Sequence, residues 1–298
     1  QAPGDDAYGN QNTDGSRSIR TIYEPMRKMG AMARAMLVTA AAQHSNIPET
    51  ECETENHYVI HSTTGNKMFY GELAEKASGL VAPENPKLKS PEDFVYIGKG
   101  LKSIDISDFT SGKSKYGLDI KIPGMQYACI ARCRVSFGKV VSFDKSKAMQ
   151  IPGVIEVYEL PRMEKPFGTL GGVAVIAKNT WAAIKGKEAL EISWDFGENR
   201  TYSTESFMKE LAGNVAVKGK LIRAKGNVDT AFQRAESLVE GTYQLPHLVH
   251  APMEAPNATA NVRDGLCEVW APVQAPQTTR QEISDYLELP LEKITVNV

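Results

Sequence analysis

A histidine, a carboxylate and an amide stand in two short loops near the C-terminal end of the sequence. His250 and Glu254 belong to the stretch His-Ala-Pro-Met-Glu-Ala-Pro, and Gln274 stands in Val-Gln-Ala-Pro after the next apolar stretch. Imidazole and carboxylate groups move protons or bind metals, and an amide both donates and accepts hydrogen bonds. Because binding and catalytic residues concentrate in loops, this combination predicts a functional site.

A metal-binding interpretation of the same residues is weaker. A histidine four residues before a glutamate is a known zinc-binding pair on a helix. Pro252 and Pro256 argue against a helix, and the sequence offers no third ligand, so no metal site is predicted. We favour an interpretation in which His250 and Glu254 brace a cavity through hydrogen bonds to backbone groups. A hydrolase that uses His250 with a serine is a further alternative, but the sequence has no Gly-x-Ser-x-Gly elbow.

The elements that must position these residues are predicted from hydrophobic periodicity. Residues 24–43 are expected to form a helix with Pro25 at its first position. Its face of Met26, Met29, Ala33, Met36 and Ala40 is interpreted as core. Residues 56–64 are expected to form a strand, residues 69–80 a short helix, and residues 82–93, with three prolines, a linker.

The middle of the chain predicts a compact α+β domain, because strands and helices alternate along it. Its expected strands are residues 116–125, 139–144, 154–158, 172–177 and 191–195, and its expected helices are residues 145–150 and 179–190, with Asn179 as the cap. Residues 196–235 are expected to be a connector with one or two helical stretches. Beyond it, we expect strands at residues 239–245, 257–262 and 266–270, the last two joined by an Asp264-Gly265 hairpin, and a helix at residues 278–287.

Composition limits the classes of function. The 298 residues are 42% hydrophobic and carry a formal net charge of −2, as in a globular protein with no general attraction to nucleic acid or anionic membranes. No apolar run approaches the roughly 20 residues that span a bilayer.

The four cysteines make no disulfide framework, and we interpret Cys129 and Cys133 as buried structural residues on a strand. The chain begins without Met and ends in what looks like an interrupted strand, so we expect a fragment or a processed product.

Several stretches in the same order resemble the large subunit of the xanthine dehydrogenase/aldehyde oxidase family of molybdenum hydroxylases, and most closely its isoquinoline 1-oxidoreductase beta-subunit type. They are Ser-Gly-Lys-Ser-Lys-Tyr-Gly-Leu-Asp at 111–119, Ile-Pro-Gly-Val at 151–154, Val-Ala-Val-Ile-Ala at 173–177 and the loops of Glu254 and Gln274. The sequence departs from the family pattern at four positions: Asp14 replaces a glycine, Ala255 a proline, Val273 a threonine, and Leu248 a glutamine present in some xanthine-oxidising relatives.

The resemblance implies an α+β fold in which an α/β hammerhead domain is flanked by incomplete molybdopterin-binding lobes. The expected domains are residues 1–88 as part of the first lobe, 98–200 as the hammerhead domain, 201–236 as a connector and 237–298 as the start of the next lobe. It also implies a molybdopterin cofactor with molybdenum, in its cytosine dinucleotide form. The residues implied in cofactor binding are Gly15, Ser16, His250, Glu254 and Gln274.

Each of these assignments has a plain structural alternative. Gly15 and Ser16 also fit a flexible loop. Arg20, Arg27 and Arg34 either neutralise a phosphate or are solvated and pair with carboxylates. The glutamate that acts as general base in the family belongs to a segment outside this chain, and iron–sulfur clusters would lie on a partner subunit only.

As an enzyme, such a protein oxidises an aldehyde or an N-heterocycle with oxygen from water, as part of a larger complex. The implied partners are the remaining part of the large subunit, an iron–sulfur subunit or cytochrome c, and a small-molecule substrate, with no nucleic acid and no membrane span. The family analogy implies a periplasmic location. The alternative function is a non-catalytic interaction module that retains the fold without the cofactor.

Overall fold

The chain divides into two compact units. The computed structural model describes residues 4–164 and 168–298, so the first three residues of the predicted N-terminal lobe lie outside the described part. Unit 1 contains the residues up to Ile120 together with Glu254–Val298, and unit 2 contains Lys121–Met253. The domain boundaries expected from the family resemblance follow a different division and stay a prediction.

The first half of unit 1 is a small antiparallel sheet covered by two helices. The sheet has the order β1-β2-β3, with β1 at Cys52–Glu55, β2 at Tyr58–His61 and β3 at Lys67–Phe69. Helix α1 (Arg17–Ser45) and helix α2 (Tyr70–Ser78) pack on each other. Their shared core is formed by small and branched side chains, namely Ala40, Ala41, Val59, Leu73 and Ala77. Alanines on α1 let α2 and the sheet approach closely, and this gives the unit a dry interior.

Two expectations for α1 are wrong. The helix begins at Arg17, so Pro25 lies inside it instead of at its first position. The methionine face is not uniformly core, because Met26 and Met29 are 56% and 60% exposed. Only the C-terminal half of the helix faces the sheet, where Met36 packs against the buried Ala40.

The second half of unit 1 is a three-stranded mixed sheet with one helix. Strand β10 (Leu266–Trp270) lies in the centre, antiparallel to β9 (Thr259–Arg263) and parallel to β11 (Ile294–Asn297). Helix α8 (Pro276–Leu287) connects the two parallel strands and packs on β11. The predicted hairpin is confirmed, because Asp264 and Gly265 both have positive φ, as its two-residue turn requires.

The segment between these halves contains little regular structure. The predicted linker at residues 82–93 has only a short 3-10 turn, and helix α3 (Ile106–Ser111) follows it. The strand expected at residues 116–125 is wrong, because Gly117–Asp119 form a 3-10 turn closed by a hydrogen bond from the Tyr116 N–H to the Asp119 carboxylate. The 3-10 turns of the described chain are Asp6–Tyr8, Glu49–Glu51, Pro91–Asp93, Gly117–Asp119, Gly197–Thr201 and Leu291–Lys293.

Unit 2 contains an antiparallel sheet of order β4-β7-β6 and a separate two-stranded ribbon, β5-β8. The strands are β4 (Tyr127–Ala131), β5 (Lys139–Asp144), β6 (Val154–Leu160), β7 (Gly172–Ala177) and β8 (Glu191–Asp195). Helix α4 (Ser146–Met149) packs on β6, and helix α5 (Thr180–Glu188) packs on β4 and β7. Asn179 caps α5 as predicted, since its side chain accepts a hydrogen bond from the Ala182 N–H at 2.8 Å.

The C-terminal part of unit 2 is less regular. It contains helices α6 (Thr204–Val215) and α7 (Val228–Arg234), which match the helical stretches predicted for the connector. Residues 235–258 contain no helix or strand, so the strand expected from Val239 is absent from this structure.

The described chain therefore mixes helices and sheets, in agreement with the predicted α+β class. Cys129 lies on β4 and Cys133 lies beyond its end, and both are half-buried free thiols, so the prediction that both are buried residues on one strand is wrong. No helix in residues 4–164 and 168–298 is both long enough and apolar enough to cross a bilayer.

Candidate functional site

Two loops that each precede a helix meet in unit 1. The Thr13 N–H donates to the Gln274 carbonyl at 3.0 Å, and the Thr13 hydroxyl donates to the same oxygen at 3.4 Å. The loop of Thr13 leads into α1 at Arg17, and the loop of Gln274 leads into α8 at Pro276. Helix N-termini present unpaired N–H groups and a partial positive charge. The N-termini of α1 and α8 therefore both lie next to this pair of hydrogen-bonded loops.

Gly15 and Ser16 are the middle residues of a tight turn at the start of α1, which is closed by a hydrogen bond from the Arg17 N–H to the Asp14 carbonyl at 2.8 Å. Their φ angles are +51° and +58°, so both residues are in the left-handed region. The Ser16 side chain makes no capping hydrogen bond, although serine at this position usually does. Both residues are exposed, and successive backbone N–H groups in such a loop favour an anion.

The charges around this loop also suit an anion. Asp14 forms an ion pair with Arg17, with 3.1 Å between Oδ1 and Nε, so its negative charge is offset locally. A Cβ atom built on Gly15 would lie 3.9 Å from Arg20 Nη2, which places that guanidinium beside the loop. The replacement of a family glycine by Asp14 is therefore compensated within one helical turn.

Arg27 and Arg34 serve a different purpose. Arg27 Nη2 donates to the Lys89 carbonyl at 2.7 Å, and its guanidinium lies over the rings of Tyr23 and Phe94. Arg34 Nη2 donates to the Lys87 carbonyl at 2.8 Å. Both arginines thus tie the predicted linker to α1. Of the three arginines considered from the sequence, Arg20 alone lies beside the Gly15 loop.

The same part of α1 and the linker enclose an apolar cavity of about 620 Å³. Tyr23, Met26, Phe94, Tyr96 and Ile97 are among its lining residues. The exposed Met26 of α1 therefore faces this space instead of a packed core.

The N-terminal segment is fastened to α8, which fixes the position of the Thr13 loop. Gln277 Oε1 accepts a hydrogen bond from the Gln11 N–H at 3.0 Å, and Gln277 Nε2 donates to the Gly9 carbonyl. Arg280 Nη1 donates to the Gly4 carbonyl at 3.1 Å. Because these bonds join positions more than 260 residues apart, local periodicity gives no sign of them.

Glu254 braces a neighbouring loop of unit 1. Its Oε1 accepts one hydrogen bond from the Leu118 N–H at 2.9 Å and another from Asn257 Nδ2 at 3.1 Å. This agrees with the interpretation of Glu254 as a residue that binds backbone groups. Gly117 lies against the same cluster, since a Cβ atom on it would be 2.4 Å from Asn257 Oδ1.

Asn257 is a site residue that the sequence analysis missed. Its Oδ1 is buried and has no hydrogen-bond partner among the described residues. An unpaired buried acceptor is costly, so it marks a place that a donor outside the described chain would satisfy. The signal available in the sequence was its position three residues after Glu254, at the end of the same loop.

The predicted site residues are therefore only partly brought together. Gly15, Ser16 and Gln274 belong to the paired loops, and Glu254 belongs to the same unit with partners of its own. His250 lies in unit 2, in an exposed irregular segment. Its role in cofactor binding stays a prediction, as does that of the other four residues. The described residues contain no group of three or more His, Cys, Asp or Glu side chains arranged to hold a metal ion.

A hydroxyl–imidazole–carboxylate arrangement occurs elsewhere in unit 1. His61 Nδ1 lies 2.8 Å from Thr64 Oγ1, and His61 Nε2 lies 2.9 Å from Glu51 Oε2. Thr64 stands in the turn between β2 and β3, and none of these three residues lines the apolar cavity. We interpret this arrangement as a support for the hairpin.

Comparison with known proteins finds a domain match in the C-terminal third of the chain. Residues 200–298 match the family described as the molybdopterin cofactor-binding domain. This match covers about a third of the chain. The matched stretch contains His250, Glu254, Asn257 and Gln274.

The matches extend over nearly the whole chain. The isoquinoline 1-oxidoreductase subunit beta of Brevundimonas diminuta is 25% identical, with 98% of this chain and 42% of that protein aligned. The membrane-bound aldehyde dehydrogenase (pyrroloquinoline-quinone) of Gluconacetobacter polyoxogenes is 29% identical over 97% of this chain and 38% of its own length. The resemblance to the xanthine dehydrogenase/aldehyde oxidase family is thereby confirmed.

The chain spans about two fifths of the length of these two relatives. Among solved structures, quinoline 2-oxidoreductase from Pseudomonas putida 86 aligns with 67% of this chain and 30% of its own, with a TM-score of 0.47 and 17% identity. That similarity is too low to position individual residues.

Proposed function

We propose that this chain is part of the molybdopterin-binding subunit of a molybdenum-dependent oxidoreductase that oxidises an aldehyde or an N-heterocycle. The match of residues 200–298 to the molybdopterin cofactor-binding domain carries the proposal. The similarity to an isoquinoline oxidoreductase subunit and an aldehyde dehydrogenase supports the substrate class. When bound, the cofactor supplies the two-electron oxidation, and the incoming oxygen comes from water.

The residues of unit 1 fit the chemistry of such a cofactor. A pyrophosphate needs N–H donors and positive charge, and the start of α1 supplies positive charge through the helix N-terminus and the Arg20 guanidinium beside Gly15. Gln274 stands in the adjoining loop, where its amide would donate to and accept from a polar ring. The unpaired Oδ1 of Asn257 would accept from a ring N–H. In this proposal the chain binds and orients the cofactor.

The finer parts of the proposal follow from the family resemblance. They are the cytosine dinucleotide form of the cofactor, a hammerhead domain at residues 98–200, an iron–sulfur subunit or cytochrome c as electron acceptor, and a periplasmic location. The general base would come from the remaining part of the large subunit. The alternative, a non-catalytic module with the same fold, differs by the absence of molybdenum.

Metal and cofactor analysis of the native protein tests the proposal. We expect about one molybdenum per chain, together with a pterin that is released on denaturation. A preparation free of molybdenum, or one that contains a quinone instead, would overturn the proposal. The second outcome would agree with the quinone in the name of the aldehyde dehydrogenase relative.

A charge variant tests the binding loop itself. Arg20→Ala is expected to weaken cofactor retention about tenfold, which corresponds to about 1.4 kcal/mol, because one cation beside the loop is lost. Lys28→Ala removes a cation from the same helix two turns further along and should leave retention unchanged. The measurement is the molybdenum content of each variant after dialysis. Equal losses in both variants would show that general charge, not the loop, holds the cofactor.

A further inference from the structure

Residues 239–245 have the side-chain pattern of a strand but no strand partner. Apolar or small residues alternate strictly with polar ones, with Val239, Gly241, Tyr243 and Leu245 on one face and Glu240, Thr242 and Gln244 on the other. A period of two is the signature of a strand with one buried face. In the described part of the chain, none of the eleven strands pairs with this segment.

The apolar face of this segment is almost completely exposed. Val239, Tyr243 and Leu245 are 98%, 92% and 79% exposed. The Tyr243 ring lies over Gly241, since a Cβ atom on that glycine would be 3.2 Å from ring atom Cε2. Large apolar side chains grouped in this way mark a surface that another element covers.

The length of the relatives points to where an element that covers this segment would lie. The segment belongs to the stretch that matches the molybdopterin cofactor-binding domain. The two curated relatives align with 98% and 97% of this chain, yet the chain spans only 42% and 38% of their lengths. Those relatives therefore contain further polypeptide beyond the part that aligns with this chain.

We propose that residues 239–245 form a β-strand by pairing with a strand from the remaining part of the molybdopterin-binding subunit. This inference rests on the proposed function, because it takes that subunit as the partner. The exposed backbone of an unpaired strand offers alternating N–H and C=O groups to the incoming strand, and Val239, Tyr243 and Leu245 supply the apolar face. Pro246 ends the pairing, since it has no N–H to donate.

Hydrogen exchange tests the pairing. The exchange of the amides at residues 239–245 is measured by mass spectrometry in the 298-residue chain and in the native subunit. We expect exchange close to that of an unfolded peptide in the former and at least a hundredfold slower exchange in the latter. Equally fast exchange in both, or protection already present in the monomeric 298-residue chain, would overturn the proposal.

A second copy of the chain is the competing partner, and light scattering on the same samples detects it. If protection at residues 239–245 appears only in a dimer of the 298-residue chain, self-association covers the segment and the proposal is wrong. Protection in the native subunit with a monomeric 298-residue chain supports it.

A pair of neighbouring substitutions locates the apolar face. In the native subunit, Tyr243→Lys should remove the protection of residues 239–245, while Gln244→Lys, one residue along on the polar face, should keep it. Equal effects of both substitutions would contradict a one-faced strand. Molybdenum content is recorded for the unsubstituted subunit. If the native subunit contains molybdenum but residues 239–245 are not protected, the pairing is wrong and the proposed function stands. If residues 239–245 are protected but the subunit contains no molybdenum, only the proposed function is wrong.

Discussion

At the scale of single residues, the hydrogen bonds of Glu254 explain why a carboxylate stands in an otherwise apolar, proline-containing loop. One oxygen binds both the backbone N–H of Leu118 and the side chain of Asn257, so it connects two segments that are 136 residues apart in sequence. A charged acceptor forms stronger hydrogen bonds than a neutral one. Glu254 therefore acts on the shape of the loop, and through it on the groups that the loop presents.

Removal of this acceptor should destabilise unit 1. Glu254→Ala removes the acceptor of the Leu118 N–H bond and one of the two acceptors of Asn257 Nδ2. We expect a loss of about 1 kcal/mol, at the low end of the usual range, because the Leu118 bond is exposed to solvent. Glu254→Gln keeps an acceptor oxygen of the same reach and should lose less than half as much. Urea denaturation followed by circular dichroism measures both variants, and equal stability of Glu254→Ala and the parent chain would contradict the bracing role.

Gly117 should be intolerant of a side chain for a steric reason. A Cβ atom there would approach Asn257 Oδ1 to 2.4 Å, while Asn257 is held in place by Glu254 Oε1 and the Ala255 carbonyl. Gly117→Ala is therefore expected to cost about 1–3 kcal/mol through overpacking. Gly100→Ala is the matched control, because nothing lies within 4 Å of a Cβ atom at that position.

A double-mutant cycle separates this clash from a backbone effect. In the background of Asn257→Ala, the cost of Gly117→Ala should largely disappear, because the clashing oxygen has been removed. A cost that persists in that background would mean that Gly117 is needed for its backbone conformation.

The sequence predicted the bracing carboxylate but not its partners. Glu254 could be recognised because charged residues are rarely core residues, so a glutamate between two prolines indicates another role. Asn257 and Gly117 meet only after residues 117 and 257 have been brought together, and no pattern within a short window records such a contact. Gln274 and Gly15 were predicted separately, and their adjacency became visible only through the Thr13–Gln274 hydrogen bonds.

At the scale of elements, predictions succeeded where one segment determines its own structure. Strands β5, β7 and β8 were predicted to the residue, because each has a clear apolar pattern bounded by turn residues. The strand expected at residues 116–125 failed because Asp119 binds the backbone N–H of Tyr116 and closes a turn. Residues 239–245 have the alternating pattern of a strand but no neighbouring strand. A strand does not form without backbone hydrogen bonds to a partner strand.

Helix α1 shows how a helix tolerates a residue that normally ends one. Pro25 stands in the ninth position of α1, so the carbonyl of Thr21 cannot receive the usual N–H donor from residue 25. Pro25→Ala would restore that donor and remove the ring from the previous turn. We expect the free energy of unfolding of unit 1 to rise by about 1–2 kcal/mol, less than the full cost of an interior proline, because proline also restricts the unfolded chain.

Thermal denaturation of the Pro25→Ala variant checks this expectation. Pro91→Ala serves as control, since Pro91 begins a 3-10 turn, where a proline leaves no hydrogen bond unmade. A higher melting temperature for Pro25→Ala with little change for Pro91→Ala is the expected result. A fall in melting temperature for Pro25→Ala would contradict this expectation and would mean that Pro25 stabilises the folded chain.

At the scale of the whole molecule, the two units differ in where their charges act. In unit 1, ionic groups gather at the start of α1, where Asp14 pairs with Arg17 and the Arg20 guanidinium lies beside Gly15. In unit 2, ionic pairs join elements of the fold, as Lys145 joins Glu156 of β6 and Lys147 joins Glu191 of β8. These ion pairs could not be predicted from the sequence, because charge pairing between elements depends on the register of the sheets.

These pairs predict how the stability of unit 2 depends on pH. Hydrogen bonding from Lys145 lowers the pKa of Glu156, and hydrogen bonds from Ser146 lower that of Asp144. Since the folded pKa of each carboxylate lies below its unfolded value, each contributes stability above the unfolded pKa. That contribution is lost as the pH falls through the folded pKa. The bond to Glu191 raises the pKa of Lys147, so its contribution is present below the unfolded lysine pKa and is lost as the pH rises through the folded one.

Unit 2 should therefore be most stable in a plateau that ends in the acid range below the ordinary carboxylate pKa values and in the alkaline range above that of lysine. The urea midpoint measured from pH 7 to pH 3 should fall, and Glu156→Gln should have a shallower fall because one of the shifted carboxylates is gone. Glu159→Gln, on the same strand β6 but outside these pairs, should follow the parent curve. If Glu156→Gln follows the parent curve as well, the Lys145–Glu156 pair is screened by solvent and does not couple the helix α4 region to the sheet.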